Sequence, residues 1–281
     1  MNTQLAKFIG SVVLLLTIAC PRRGLSAAEQ ASTNSAEVSS SNLKELNDPT
    51  ILSRRIWFET EWNKFIDGTH VVEQTLGSLW AWRLSDNQDW AVRLKLPVKF
   101  RVGSDVPSVS DVGGLGDVKI ATGTAVRLSK TWRIGGGLDL EMPTGRHELS
   151  DNAWRIQEFM VVAWDISPCL TFSPSFEYNQ SVAEQPDASP QHFLEMFVPT
   201  TVVLPAKWFA TARYEAKVDF QSDGTWTHSG KVVVGKELQD RPLVLLLSFE
   251  KRLDGGDKDF QVNVAMTWFF RQPAKLPPEG N

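Results

Sequence analysis

The sequence is short of several things, and each shortage removes a class of protein. Cysteine is nearly absent, with only Cys20 and Cys169 in 281 residues. A disulfide-stapled scaffold is excluded, and cleavage after Ala28 would leave Cys169 alone, to be read as a small apolar strand residue. No apolar run reaches the roughly 20 residues of a spanning helix, so a bundle of membrane helices is excluded too. Neither sign of charge dominates: the net charge is −4, and nothing argues for general nucleic-acid binding. Tyrosine is scarce, with 2 residues against 11 tryptophans. Tryptophan is favoured at the water–lipid boundary, where its ring is apolar and its N–H stays wet. A soluble sandwich with a Trp-rich core would share that composition, so patterning has to decide.

The first residues read as an export signal. Lys7 supplies a positive charge, Phe8 to Ala19 a short apolar run, and Ser26-Ala27-Ala28 small residues for cleavage. Thr17-Ile18-Ala19-Cys20 offers a competing lipoprotein-like box, weakened by Pro21 and by the missing leucine at its start. The expected division is a signal peptide over 1–28, a mobile leader over 29–53 and a barrel over 54–271. A disordered tail over 272–281 follows.

From Arg55 onward the period is two. Trp90, Val92, Leu94, Leu96, Val98, Phe100 and Val102 alternate with Ala91, Arg93, Lys95, Pro97, Lys99 and Arg101. Successive strand side chains point to opposite faces, so one face is apolar and the other basic. The pattern returns over 118–128, 132–142, 208–220 and 260–268. It is weaker over 54–65, 71–84, 154–166, 169–182, 191–204, 228–238 and 242–253. The total is about twelve strands, and single-chain bacterial barrels have even numbers.

Two features separate a membrane barrel from a soluble sandwich. Connections alternate between tight ones (85–88, 129–130, 167–168, 205–207, 239–241) and longer ones (103–114, 143–153, 183–190, 221–227), as short periplasmic turns and longer outer loops would. Tryptophan follows the same division. Trp80, Trp82, Trp90, Trp132, Trp164, Trp208 and Trp268 lie beside the short connections or the end of the last strand, and Trp62, Trp154, Trp226 and Tyr178 near the other rim. The expected fold is an all-β, antiparallel, up-and-down transmembrane β-barrel in the cell outer membrane. Its partners would be the lipid bilayer, a small-molecule solute and the outer-membrane insertion machinery, which reads a terminal aromatic such as Phe270.

Gly114-Leu115-Gly116-Asp117-Val118 opens one strand, and Glu141-Met142-Pro143-Thr144-Gly145 closes the next. This "GLGD" start followed by a "PTG" end resembles a family of bacterial outer-membrane proteins labelled transporters or phenol-degradation MetA-pathway proteins. The similarity is best over about residues 90–180. It implies an outer-membrane barrel and uptake of small, often aromatic or hydrophobic compounds, with no catalytic residues to map. Read alone, the glycines are structural, and no helix follows them to make a phosphate loop.

The face opposite the apolar one carries the chemistry. Arg93, Lys95, Lys99, Arg101, Lys119, Arg127 and Arg133 form a candidate basic wall of the lumen, and Glu59, Glu61, Glu73, Asp139 and Glu141 an acidic one. Opposed walls would set a transverse field that orients dipolar solutes, and an arginine excess would favour anions. The alternative is that these charges pair and fill a closed structural barrel. His70, His147, His192 and His228 fall in or beside outer loops without ligand spacing, so no metal or other cofactor is expected. His228-Ser229 invites a lipid-hydrolase reading, but strand neighbours point to opposite faces, so no enzyme activity is expected.

Overall fold

Alternating side chains are satisfied when a sheet closes on itself, with one face outside and the other inside. The structure, a computed structural model, describes residues 48–102, 111–185, 188, 190–238 and 242–270. The signal peptide, the Cys20 box, most of the leader, the 239–241 turn and the tail lie outside the described residues.

The strands are β1 (Arg55–Phe65), β2 (His70–Arg83), β3 (Gln88–Val102), β4 (Val112–Leu115), β5 (Val118–Arg127), β6 (Trp132–Met142) and β7 (Ala153–Ser167). They continue as β8 (Leu170–Phe172), β9 (Ser175–Glu184), β10 (His192–Leu204), β11 (Trp208–Asp219), β12 (Thr225–Glu237), β13 (Leu243–Asp254) and β14 (Lys258–Phe269). All pairings are antiparallel between chain neighbours, and β1 pairs with β14, so the sheet has no free edge. Two strands are interrupted. β4 and β5 both pair with β3, on either side of Gly116-Asp117. β8 and β9 both pair with β7 and β10, and Ser173-Pro174 breaks them apart. Proline lacks the N–H a ladder needs. Counting each broken strand once gives a closed barrel of twelve strands.

The outer surface is apolar. Phe58, Leu76, Leu96, Ile120, Leu138, Met160, Val232, Leu247 and Val264 are among its exposed hydrophobics. Outward positions are even-numbered except on β4, where Leu115 faces out, and on β13, where Leu245, Leu247 and Phe249 do. No described helix is long and apolar enough to cross a membrane, and the strands are what could. Tryptophans ring the end where β1 begins and β14 finishes, hereafter the terminal end. There Trp82 stacks on Trp90 at 4.9 Å, Trp132 on Trp164 at 5.3 Å and Trp80 on Phe270 at 6.3 Å. Trp57 instead turns inward, where Gly77 leaves room: a Cβ there would lie 2.0 Å from the indole.

Not every outer-rim connection is long. Residues 66–69 and 255–257 close tight hairpins there, the latter with Gly255 and Gly256 at positive φ. Cys169 lies in the β7–β8 turn, with its Sγ 3.4 Å from Ser167 Oγ.

Candidate functional site: the lumen

Odd-numbered positions on most strands point inward and line the interior. Of the expected basic residues, Arg93 and Lys95 lie on the middle stretch of β3, Lys119 lies near the start of β5 opposite Lys95, and Lys99 and Arg101 lie further toward the rim. Arg127 is exposed at the terminal-end turn, where it donates to the Asp86 carbonyl at 3.2 Å. The acidic residues do not form a wall opposite the bases. They sit on nearby strands, and three of them pair with bases: Asp139 with Arg93 at 2.5 Å, Glu141 with Lys119 at 3.1 Å and Glu73 with Lys99 at 3.8 Å. Glu61 accepts from Asn63 Nδ2 at 2.7 Å and from Gln261. Glu59 is within electrostatic reach of Lys95.

The carboxylates across the barrel from β3 and β5 are others. Glu177 on β9, Glu195 on β10, Glu215 on β11 and Glu250 on β13 project inward. Arg213 reaches Glu215 at 2.9 Å, while Lys258 and Lys231 reach Glu250 at 3.1 and 3.5 Å. Odd parity was the signal for the first three, on the weaker strands β9 and β10 and on the clearly alternating β11. Glu250 required noticing that β13 reverses parity. Toward the rim the interior opens into a cavity of about 590 Å³, lined by Glu195, Glu215, Asp219, Glu250 and Asp257 against Lys217, Arg252 and Lys258.

The terminal end is packed instead. Residues 48–53, assigned to the leader by composition, fold into the barrel: Asp48, Thr50 and Ser53 are all buried. Leu52 packs on Leu79, Ala81 and Ala91 of β2 and β3. The chain then crosses to β6 and β7, where Asp48 meets Arg133. Arg133 also donates to Thr50 Oγ1 at 3.1 Å and to Asp165 at 2.9 and 3.1 Å. Thr171 completes the knot by donating to Asp165 at 2.7 Å. This strap spans much of the lumen floor, because β1 and β6–β7 lie on nearly opposite sides of the barrel. Beside it, Phe209, Val244 and Phe269 form an apolar cluster with Val203, Val233 and Leu246.

The GLGD and PTG motifs meet at Asp117. Its carboxylate accepts from Gly145 N at 3.0 Å and from Ser150 Oγ and Asp151 N, both at 2.9 Å. Val118 N donates to Thr144 Oγ1 at 3.0 Å. The motif pair is thus a clamp on the 143–152 loop. Asp117, Glu141 and Asp151 bring carboxylate oxygens within 4.8 Å of one another. Arg155 occupies that cluster, bonding Asp151 and reaching Glu141 at 2.6 Å, which leaves little for a cation.

Three histidines belong to the outer surface. His70 stacks on Trp62 at 5.4 Å, and His192 and His228 each bond a tyrosine hydroxyl, of Tyr178 and Tyr214, at 2.7 Å. His147 lies in a short 3-10 turn of the 143–152 loop. Ser229 points inward to Glu250 at 3.3 Å, away from the His228 ring.

No protein-family model matches the sequence, and no curated protein does. Solved structures match in fold. The COG4313 outer membrane channel from Pseudomonas putida F1 aligns with a TM-score of 0.67 at 14% identity, over 78% of this chain and 96% of that one. The NanC porin aligns at 0.56 and 12%, over 76% and 100%. The translocator domain of autotransporter NalP from Neisseria meningitidis aligns at 0.53 and 9%, over 88% and 100%. This is the fold of outer-membrane barrels. Identities this low carry the fold alone, and a channel, a porin and a translocator share it, so function has to be read from the lumen.

Proposed function

We propose that this barrel resides in an outer membrane and passes small polar solutes passively. The observation that carries the reading is an apolar outer face around an interior lined with ionisable side chains, which opens at one rim into a cavity of about 590 Å³. Charged linings hold water, and water-filled barrels conduct. The export signal read from the sequence and the Trp-rich terminal end support a periplasmic position for the chain ends. Aromatic or hydrophobic solutes, which the family resemblance brings in, would meet inward apolar side chains such as Trp57 at the terminal end and Phe193 and Phe197 on β10.

A second reading, a structural barrel without an open path, is favoured by the strap and the Phe209 cluster at the terminal end. Planar-bilayer recording separates the two. The full chain should give discrete conductance steps, larger in Arg133→Ala, which frees the strap. Silence in both proteins would leave the structural reading standing.

A further inference from the structure

The inner wall breaks a pairing rule twice. Lys95 on β3 lies directly opposite Lys119 on β5, and Glu177 on β9 directly opposite Glu195 on β10. Like charges in register destabilise a sheet. In each pair one member has a partner: Lys119 the Glu141 carboxylate at 3.1 Å, and Glu177 the neutral Gln157 amide, whose Nε2 donates at 2.5 Å. The other is left over. Among the described residues neither the Lys95 ammonium nor the Glu195 carboxylate has a hydrogen bond or an ion pair.

Their neighbours are engaged elsewhere. Near Lys95, Asp139 is taken by Arg93, while Glu59 and, across the lumen, Glu177 stand within electrostatic reach without an ion pair. Near Glu195, Arg213 is taken by Glu215, and Lys217, directly opposite on β11, lies over the Phe193 ring at 3.6 Å rather than in an ion pair. The two strands lie on opposite sides of the barrel. Glu195 lines the rim cavity, and Lys95 sits at the midpoint of β3, deeper in. A solute entering at the rim therefore meets a free carboxylate first and a free ammonium further on.

We infer that the lumen selects small zwitterionic solutes, with their cationic end drawn to Glu195 and their anionic end to Lys95. This rests on the channel reading and narrows its solute class. A free charge away from bulk water is costly until a partner arrives. A simple anion or cation compensates one of the two groups and is repelled by the other, whereas a zwitterion matches both without carrying net charge.

Swelling of liposomes containing the full chain tests this, with 4-aminobutyrate as zwitterion and arabinose as neutral solute. Wild type should favour 4-aminobutyrate. Lys95→Gln and Glu195→Gln should each lower its rate roughly fivefold while arabinose is unchanged. The exchange Lys95→Glu with Glu195→Lys should restore much of the preference. Equal solute ratios in wild type and both single variants would overturn the inference and leave the channel intact. No swelling with either solute, in wild type or in Arg133→Ala, would remove the channel reading and this inference with it.

Discussion

Glu158 is the residue that fits its surroundings least. It lies on the outward face of β7, exposed, midway between Trp154 and Trp164, with Leu138 and Tyr178 as strand partners. A carboxylate at that depth opposes hydrocarbon, at a penalty smaller than that of a cation but real. Glu158→Leu should stabilise the barrel by up to about 2 kcal/mol in urea-dependent refolding into vesicles. A loss of stability would mean that this carboxylate has a partner in the membrane. Arg133 is the converse case: an inward charge matched by Asp48, Asp165 and the Thr50 hydroxyl. Removing one side of such a knot strands the other, which is why the strap is expected to let go in Arg133→Ala.

At the level of elements, the clamp at Asp117 ties the β4–β5 break to the 143–152 loop. Asp117→Ala removes an acceptor for Gly145 N, Ser150 Oγ and Asp151 N and should destabilise by about 2–4 kcal/mol. Faster proteolysis within 143–152 should accompany it, and an unchanged cleavage rate would contradict the clamp. The sequence made this motif pair visible but not its purpose, because the contact joins residues 28 to 34 apart through a carboxylate. Strands with strict alternation, such as β3 and β6, were legible because period two has one structural meaning there. The breaks at Gly116-Asp117 and Ser173-Pro174 were not, since turn residues inside a strand resemble turn residues at its end. The strap was missed because polar residues 48–53 lack period and read as leader. What buries them is a partner, Arg133, more than 80 residues away.

For the molecule as a whole, composition and period gave the barrel, its outer girdle and the sign of individual inward charges. They did not give which charges meet. Arg93, Lys99 and Lys119 pair with acids on β2 and β6, and further inward acids lie on β9 to β13, where alternation is weaker except on β11. The interior is therefore a patchwork of paired and unpaired charges, packed at one end and open at the other.

That description depends on outward side chains meeting hydrocarbon while tryptophans mark its edges. Fluorescence of the full chain in vesicles of brominated lipids reads this directly. Bromines placed near the headgroups should quench the tryptophans more strongly than bromines near the chain ends. Emission indifferent to bromine at every depth, with the protein recovered in solution, would contradict the account.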